Sequence, residues 1–261
     1  NGNLKNFEKI VDLIRERELN IKWHSMARCD GRMDAIFLRK VIASGCTALS
    51  FGVECGSEKV LLDMKKKVEI WEIENNLRDT KKLGMFNHIH WQVGFPTEEP
   101  IDYLHSLQLL YNARKWIGNI SPGFGTAIAK NTPLENNYKD YGIEGNAEPY
   151  CYDMTFLNQW YTKGYKNTIL HRFLRVKMTH IWLEILKIYR DSIIMNTNEG
   201  MSIKEFYSID LGKNKTVHEY LERDFNVDLT RFKDDTFSHS IANEYISLCY
   251  AIYKYFGRAT F

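Results

Sequence analysis

The sequence predicts an α/β fold in which parallel strands alternate with helices. In the first half of this 261-residue chain, short apolar runs alternate with stretches of helical periodicity. Such alternation is typical of βαβ units, since parallel strands need a helical crossover between them. Two further observations support the same prediction: glycines stand at the expected helix ends (Gly45 and Gly84), and polar residues directly follow the apolar runs.

The chain opens with a predicted helix, a strand and a second helix. Asn1 is suited to cap the first helix. The apolar positions of this helix keep helical spacing and are Leu4, Phe7, Val11 and Ile14. Residues 21–27 alternate well enough for a strand. Asp34 is expected to cap the second helix, which ends at Gly45.

The same order of elements continues to residue 128. Residues 47–53 form an apolar run of the kind that a strand buried on both faces shows, and the strand is predicted over 47–54. The elements predicted after it are a helix from Glu58, a helix over 69–83, a strand over 88–93, a helix over 99–115 and a strand over 117–128.

The pattern changes near Pro133. Residues 136–149 are polar and indicate a connector, and long helical patterns rich in aromatic residues follow. One apolar stripe runs through Leu174, Ile181, Ile185, Ile188 and Tyr189, and another through Ile241, Tyr245, Leu248, Ile252 and Phe256. A short helix is expected over 217–225. These patterns predict a mainly helical C-terminal region.

The composition limits the class of protein. A net charge of +2 provides no field that would favour nucleic acid as a partner. Five cysteines without paired spacing fit a reducing compartment better than a disulfide framework. No apolar run approaches the roughly 18–20 residues of a membrane span. We therefore expect a soluble, cytoplasmic protein.

A polar cluster directly follows the apolar run that ends at Val53. Glu54 and Ser57 flank Gly56 just before the next helical pattern begins. In α/β folds, ligands bind at the carboxyl ends of the strands, so this carboxylate and hydroxyl are candidate binding groups. The alternative is a turn that only reverses the chain.

This stretch resembles one segment of radical S-adenosylmethionine (radical SAM) enzymes. The residues are Phe51-Gly-Val-Glu-Cys-Gly-Ser57, followed by Val60-Leu61 and Met64-Lys65-Lys66. They are similar to the fourth-strand segment of that family, closest to the branch that often carries a cobalamin-binding domain. Cys55 stands where the family commonly has Ser.

Three more segments resemble the same family and follow its order. Residues 23–30 resemble the third strand and its exit, and residues 90–98 resemble the fifth strand, with Thr97 where Gly is common. Residues 131–134 resemble the Gly-Thr-Pro-Leu after the sixth strand, with Asn131 in place of Gly. The resemblance covers about residues 1–135.

The resemblance implies a fold and a domain division. Residues 1–135 would hold strands three to six of a (β/α)6 partial TIM-type barrel, and residues 136–261 the helical C-terminal region. The family's CxxxCxxC signature, whose thiolates hold a 4Fe–4S cluster, does not occur in the sequence. The cluster ligands are therefore expected upstream, in a longer protein.

The resemblance also implies a set of residues that bind S-adenosylmethionine. Glu54 would bind the ribose hydroxyls, with Ser57 as a donor beside it. Lys66 would face the methionyl carboxylate, the alternative being a solvated lysine in a run of three. Arg28 would bind either the same carboxylate or Glu54. Val93 and Gly94 would place backbone groups beside the adenine; alternatively, Gly94 and Pro96 simply break a strand. The sequence assigns no catalytic residue.

Two other groups of residues are weaker candidates. His88 and His90 share one face of a predicted strand and have the spacing of two metal ligands, but the sequence near them offers no third ligand. Cys29 and Cys55 follow strands and are either reactive thiols or small buried hydrophobes.

The resemblance implies reductive cleavage of S-adenosylmethionine at a 4Fe–4S cluster, giving a 5′-deoxyadenosyl radical. With cobalamin present, methyl transfer to an unactivated carbon is the usual outcome. The partner would be a small-molecule or peptide substrate. Two alternatives are a barrel that has lost the cluster and acts as a binding or scaffold module, and a metal-dependent barrel hydrolase that uses His88 and His90.

Overall fold

The computed structural model describes residues 3–123, 126, 128, 131–144, 160–167 and 169–188. The helices are α1 (Leu4–Glu16), α2 (Ala35–Ala43), α3 (Glu58–Asp63), α4 (Ile70–Lys82), α5 (Pro100–Ala113), α6 (Pro133–Asn136) and α7 (Ile169–Ile185). The strands are β1 (Trp23–Ala27), β2 (Cys46–Glu54), β3 (Phe86–Gln92), β4 (Asn119–Gly123), β5 (Ile143–Glu144) and β6 (Tyr161–Thr162). The helices predicted over 217–225 and through Ile241 to Phe256 lie outside the described residues.

The first four strands form one parallel sheet in the order β1-β2-β3-β4. Each strand lies beside the next in sequence, and a helix follows each of the first three. The predicted α/β fold with a parallel sheet is therefore confirmed. Closure into a partial barrel and the helical C-terminal region stay predictions.

The helix ends follow the local signals with one exception. Asp34 caps α2, accepting a hydrogen bond from the Phe37 amide at 2.8 Å, and Gly45 beyond the helix has φ +91°. The cap of α1 is Asn3, not the predicted Asn1, and its Oδ1 accepts from the amides of Lys5 and Asn6. The prediction missed by two positions because both residues are asparagines and the apolar spacing fits a helix that begins after either one.

The sheet has one buried face and one half-buried face. On β2, the side chains of Leu49, Phe51 and Val53 are fully buried. The alternate residues on β2, and their register partners on the other strands, form a face that we call the polar face. It consists of His24, Met26, Ala48, Ser50, Gly52, Phe86, His88, His90, Gln92, Asn119, Ser121 and Gly123. The site described below stands at the carboxyl end of this face.

The chain divides into two compact units. The first comprises residues 1–92, 105–123 and 179–192, and the second comprises 93–104, 124–178 and 193–261. The sheet of β1–β4 belongs to the first unit. In the second, β5 pairs with β6, and Trp160 lies in a small apolar cluster with its Nε1 donating to the Thr126 carbonyl at 2.9 Å. The predicted boundary at residue 135 stays a prediction.

The connector predicted over 136–149 holds a short strand, because Ile143 and Glu144 pair with β6. A two-residue strand is too short to produce a periodic pattern in the sequence.

Among the described residues, no helix is both long and apolar enough to span a bilayer.

Candidate functional site

Strand β2 ends in a bulge that turns Glu54 out of the regular pleat. Gly52 pairs with His90, but Glu54 pairs with Trp91, so β2 advances two residues for one on β3. The Cys55 amide donates to the Val53 carbonyl at 2.9 Å, and Glu54 between them has φ +67°. A hydrogen bond across one residue of positive φ is a γ-turn of the rare, strained kind. The bulge thereby re-aims the Glu54 side chain.

The backbone of Glu54 is strained for a residue with a side chain. A non-glycine residue in a sparsely populated region costs on the order of 1–3 kcal/mol, and such residues cluster at functional sites. Glycine would adopt this conformation without strain. The strained turn therefore makes the Glu54 carboxylate a candidate functional group.

The Lys66 side chain meets this carboxylate. Helix α3 ends in a Schellman-type motif, in which Lys65 has φ +56° and the Lys66 amide donates to the Leu61 carbonyl at 2.9 Å. This termination brings Lys66 back toward the sheet, where its Nζ lies 2.6 Å from Glu54 Oε1. The two side chains are 29% and 20% exposed, so the pair is half-buried and open to a ligand. Within the described part of the chain, Glu54 Oε2 has no hydrogen-bond partner.

Arg28 follows β1 and lines a cavity of about 630 Å³. The other lining residues are Asn3, Leu4, Lys5, Cys29, Asp30, Arg32, Lys67 and Glu72. Arg32 pairs with Asp30 at 2.5 Å, and this hydrogen bond lowers the pKa of the Asp30 carboxyl. Glu72 accepts from the amides of Gly31 and Glu69. Lys5, Arg28 and Lys67 therefore make the lining net positive, which suits an anionic group.

Cys29 lies beside the Glu54–Lys66 pair but is a poor nucleophile. Its side chain is 2% exposed, and burial raises the pKa of its thiol to about 12, with the nearby Lys66 ammonium lowering it by less. Reactive cysteines are thiolates at neutral pH, which needs the opposite shift. Cys55 is also fully buried, with its Sγ 3.7 Å from the Ser57 carbonyl. Their burial favours the structural alternative for both cysteines.

Ser57 and Gly56 hold the turn after Glu54 in place. Ser57 is 1% exposed and caps α3, its Oγ accepting from the Val60 amide at 3.3 Å. The Gly56 amide donates to Ser106 Oγ at 3.0 Å, and a Cβ on Gly56 would lie 2.7 Å from the His105 carbonyl oxygen. Only glycine allows this close approach to α5. Ser57 as a donor to the ligand stays a prediction.

Val93 and Gly94 belong to the second unit, whereas the other predicted ligands belong to the first. Gly94 has φ +77°, and a Cβ there would lie 2.3 Å from the Cγ of Arg172. The Gly94 amide donates to Glu98 Oε1 at 3.1 Å. Packing against Arg172 therefore explains Gly94 without a ligand, and the adenine contact stays a prediction.

The sequence reasoning missed two buried arginines on α7. Arg175 pairs with Glu98 at 2.9 Å with both side chains buried. Arg172 stacks on the Trp160 ring at 3.8 Å, and burial, together with the Arg175 charge, lowers its pKa to about 9. Their spacing of three positions on an apolar helix was the available signal, since charged residues on a buried helix face need partners.

His88 and His90 do lie together on the polar face. Their ring centroids are 4.9 Å apart, and His88 Nε2 lies 3.1 Å from Ser121 Oγ. Among the described residues, no group of three or more His, Cys, Asp or Glu could hold a metal ion. Those residues therefore offer no ligand set for a hydrolase metal or for a 4Fe–4S cluster, which several converging thiolates must hold.

Solved structures similar to this chain are radical SAM enzymes. The cobalamin-dependent S-adenosylmethionine radical enzyme OxsB matches with a TM-score of 0.50 and 14% identity, over 95% of this chain and 44% of its own. The radical S-adenosylmethionine methyltransferase TsrM from Kitasatospora setae matches with a TM-score of 0.43 and 16% identity, over 56% of this chain and 30% of its own. Coproporphyrinogen III oxidase (HemN) from Escherichia coli matches with a TM-score of 0.39 and 17% identity, over 46% of this chain and 28% of its own.

These matches bear on the fold. The chain spans less than half the length of each of these proteins. No family model and no curated protein sequence matches it. The likeness to OxsB confirms the predicted parallel α/β fold.

Proposed function

We propose that this chain forms part of the S-adenosylmethionine-binding barrel of a radical SAM enzyme, with Glu54 binding the ribose hydroxyls. The observation that carries the proposal is the strained turn at Glu54, which presents a carboxylate at the carboxyl end of a parallel strand. Ligands of α/β folds bind at that end of the sheet. The motif resemblance and the fold of OxsB support the same assignment.

Glu54 has the hydrogen-bonding capacity that a vicinal diol requires. Its Oε2 has no partner among the described residues, and Oε1, already bonded to Lys66, keeps a second lone pair. Two neighbouring hydroxyls can therefore donate one hydrogen bond to each oxygen. Because Lys66 already fixes the carboxylate, less side-chain freedom is lost when the ligand binds.

The basic cavity beside Arg28 suits the other end of the ligand. Lys5, Arg28 and Lys67 all line this volume of about 630 Å³. A guanidinium binds a carboxylate through two parallel hydrogen bonds, so Arg28 is the residue suited to the methionyl carboxylate. Lys66 already pairs with Glu54, so it would contribute to ligand binding mainly by holding the Glu54 carboxylate in place.

Radical chemistry, and methyl transfer where cobalamin takes part, would come from the cofactors. The part of the described residues would be to bind and orient S-adenosylmethionine. The substrate would be a small molecule or a peptide. A barrel that has lost the cluster would keep the same fold, and reading the upstream coding sequence for CxxxCxxC distinguishes the two cases.

The test is the affinity of the full-length protein for S-adenosylmethionine, measured by isothermal titration calorimetry. Glu54→Gln removes the charge from two hydrogen bonds, so the affinity should fall about ten- to a hundredfold. Glu54→Ala should lose at least as much. Glu58→Gln is the matched control, because Glu58 is an exposed carboxylate four positions further on and should leave the affinity unchanged. Unchanged affinity in a folded Glu54→Ala protein would refute the ribose assignment.

A further inference from the structure

The cavity beside Arg28 is larger than one carboxylate requires. Its volume is about 630 Å³, within the range of roughly 300–1,000 Å³ that holds whole small molecules. Its walls come from the first turn of α1, the turn after β1, the segment after α3 and the start of α4. A methionyl carboxylate on Arg28 would therefore leave room for a second group.

Both carboxylates in the lining of this cavity are engaged with neighbouring donors. The Asp30 side chain accepts from the Arg32 guanidinium at 2.5 and 2.8 Å and from the Arg32 amide at 2.9 Å. Glu72 Oε1 accepts from the Gly31 amide at 2.8 Å, and its Oε2 accepts from the Glu69 amide at 2.9 Å. Local donors therefore account for the position of both carboxylates.

Two lysines of the lining are not engaged in this way. In the part of the chain that the structure describes, the ammonium groups of Lys5 and Lys67 have no hydrogen-bond or ion-pair partner. Lys66, by contrast, pairs with Glu54 at 2.6 Å. Lys67 also has φ +49°, a left-handed conformation that strains a residue with a side chain. Its place at the cavity is thus maintained at a cost in local backbone energy.

The first turn of α1 adds a positive field to the same cavity. Asn3, Leu4 and Lys5 line it, and α1 continues for 13 residues from Leu4, so the positive end of its dipole lies there. Asn3 Oδ1 accepts from the amides of Lys5 and Asn6. Among the described residues the Leu4 amide has no acceptor, and it remains able to donate to a ligand.

The lining carries a positive charge that S-adenosylmethionine does not neutralise. Four cationic side chains and two carboxylates line the cavity, which leaves a net charge of +2. S-Adenosylmethionine has a sulfonium and an ammonium against a single carboxylate, so the whole ligand is itself a net cation. Its binding alone would leave like charges facing one another. A dianionic group would balance the lining, and ammonium groups beside a helix N-terminus are suited to phosphate.

We propose that the cavity also holds the phosphate group of a second small-molecule ligand, bound by Lys5, Lys67 and the first turn of α1, while Arg28 keeps the methionyl carboxylate. This inference rests on the proposed function, because it takes the second ligand to be the substrate of that enzyme. Of the two substrate classes that the proposed function allows, it selects the small molecule and gives it a phosphate.

The first experiment titrates inorganic phosphate into the full-length protein saturated with S-adenosylmethionine, by calorimetry at about pH 8, where phosphate is mostly dianionic. The wild type should bind phosphate, and less tightly as salt is raised. Lys5→Met and Lys67→Met should each weaken phosphate about three- to tenfold. Lys65→Met is the matched control, because Lys65 is an exposed lysine with positive φ that does not line the cavity. It should bind phosphate like the wild type.

The same variants separate the two ligands. Without phosphate, Lys5→Met and Lys67→Met should change the affinity for S-adenosylmethionine by less than about twofold, whereas Arg28→Met should lose about tenfold or more. Succinate carries the same charge on two separate groups and should bind more weakly than phosphate. Circular dichroism monitors folding of each variant.

Three results would overturn the inference. One is that phosphate does not bind the loaded wild type, or that both lysine variants bind it normally. Another is that the lysine variants lose S-adenosylmethionine as strongly as Arg28→Met does, since the cavity would then serve the methionyl carboxylate alone. The third is succinate binding as tight as that of phosphate.

Failure of the proposed function can be told apart from these results. If Glu54→Ala binds S-adenosylmethionine like the wild type, the proposed function fails, and the assignment of the phosphate ligand as substrate fails with it. Phosphate titrated into the protein without S-adenosylmethionine still tests the anion site, because its dependence on Lys5 and Lys67 does not involve Glu54.

Discussion

Glu54 and Lys66 lie twelve positions apart in the sequence, and their side chains meet at 2.6 Å because two irregular turns bring them together. One is the γ-turn that takes Glu54 off the end of β2, and the other is the left-handed residue Lys65 that ends α3. Both turns place a charged residue where glycine would be unstrained. The contact is therefore maintained against local backbone preference, as expected of a functional site.

The strain at Glu54 is measurable as a difference between two variants. Glu54→Gly and Glu54→Ala both remove the carboxylate, but only glycine adopts φ +67° freely. We expect Glu54→Gly to be more stable than Glu54→Ala by about 1–2 kcal/mol in urea unfolding. Lys65→Gly, at an exposed helix end with φ +56°, should likewise be more stable than Lys65→Ala. Equal stabilities of the two Glu54 variants would mean that the turn is not strained.

The Glu54–Lys66 pair should couple modestly in a double-mutant cycle. Its side chains are 29% and 20% exposed, so solvent screens the attraction in part. We expect a coupling free energy of about 1 kcal/mol between Lys66→Met and Glu54→Gln, decreasing as salt is raised. Lys65→Met replaces the neighbouring exposed lysine and should show no coupling. A coupling free energy of zero at low salt would contradict the inference that Lys66 holds the Glu54 carboxylate in place.

Cys29 should make the protein less stable at alkaline pH. Its pKa is 9.0 ordinarily and about 12 in the folded state, because burial disfavours the thiolate. Between these values, the unfolded chain has lost the proton that the folded chain keeps, so the free energy of unfolding falls as pH rises. Below pH 9 both states are protonated and the effect disappears.

The measurement is urea unfolding of the wild type and Cys29→Ala across pH 8 to about 10.5, the range in which the linkage begins. Cys29→Ala should lose less stability over this range than the wild type. Cys46, whose pKa burial raises to about 11, contributes in the same direction and remains in both proteins. Parallel pH profiles would show that Cys29 ionises as readily in the folded chain as in the unfolded one.

Asn87 should be among the costliest polar residues to replace in the sheet. It is fully buried, and its Nδ2 donates to the Leu77 carbonyl at 2.7 Å and the Trp116 carbonyl at 2.9 Å. Its Oδ1 accepts from Thr80 at 2.7 Å. Asn87→Ala leaves several buried groups unsatisfied and should destabilise the chain by about 2–4 kcal/mol in urea unfolding.

Asn112→Ala provides the control for that prediction. Asn112 is an exposed amide that bonds Gln108 and Glu74, so its loss should stay within about 0.5 kcal/mol. Similar costs for Asn87→Ala and Asn112→Ala would contradict the assignment of Asn87 as a residue that ties β3 to its neighbours.

Local signals were sufficient to predict the order of elements and the parallel sheet. Asp34 as a cap, and Gly45 and Gly84 beyond helix ends, act over three or four residues, so the sequence carries them directly. The boundaries were less exact: the strand predicted over 117–128 is formed only by Asn119–Gly123 among the described residues. A strand ends where its neighbour stops pairing with it, and that depends on another segment.

The sequence predicted which residues belong to the candidate site, but not how they contact one another. The residue types and motif order singled out Glu54, Lys66 and Arg28, but the sequence could not say that Lys66 would pair with Glu54 while Arg28 lined a separate cavity. It gave no sign that Gly94 would pack on Arg172. These contacts join residues that are far apart in the chain.

The sequence by itself determined the order of the helices and parallel strands in the first half of the chain, because capping, glycine termination and apolar spacing are properties of neighbouring residues. Only the tertiary structure decided that a bulge re-aims Glu54, that its carboxylate packs over Gly52 and that His90 is the register partner of Gly52 on β3. The physical reason is that register between strands is set by packing across the whole sheet. A shift of one residue would turn each of these side chains to the other face.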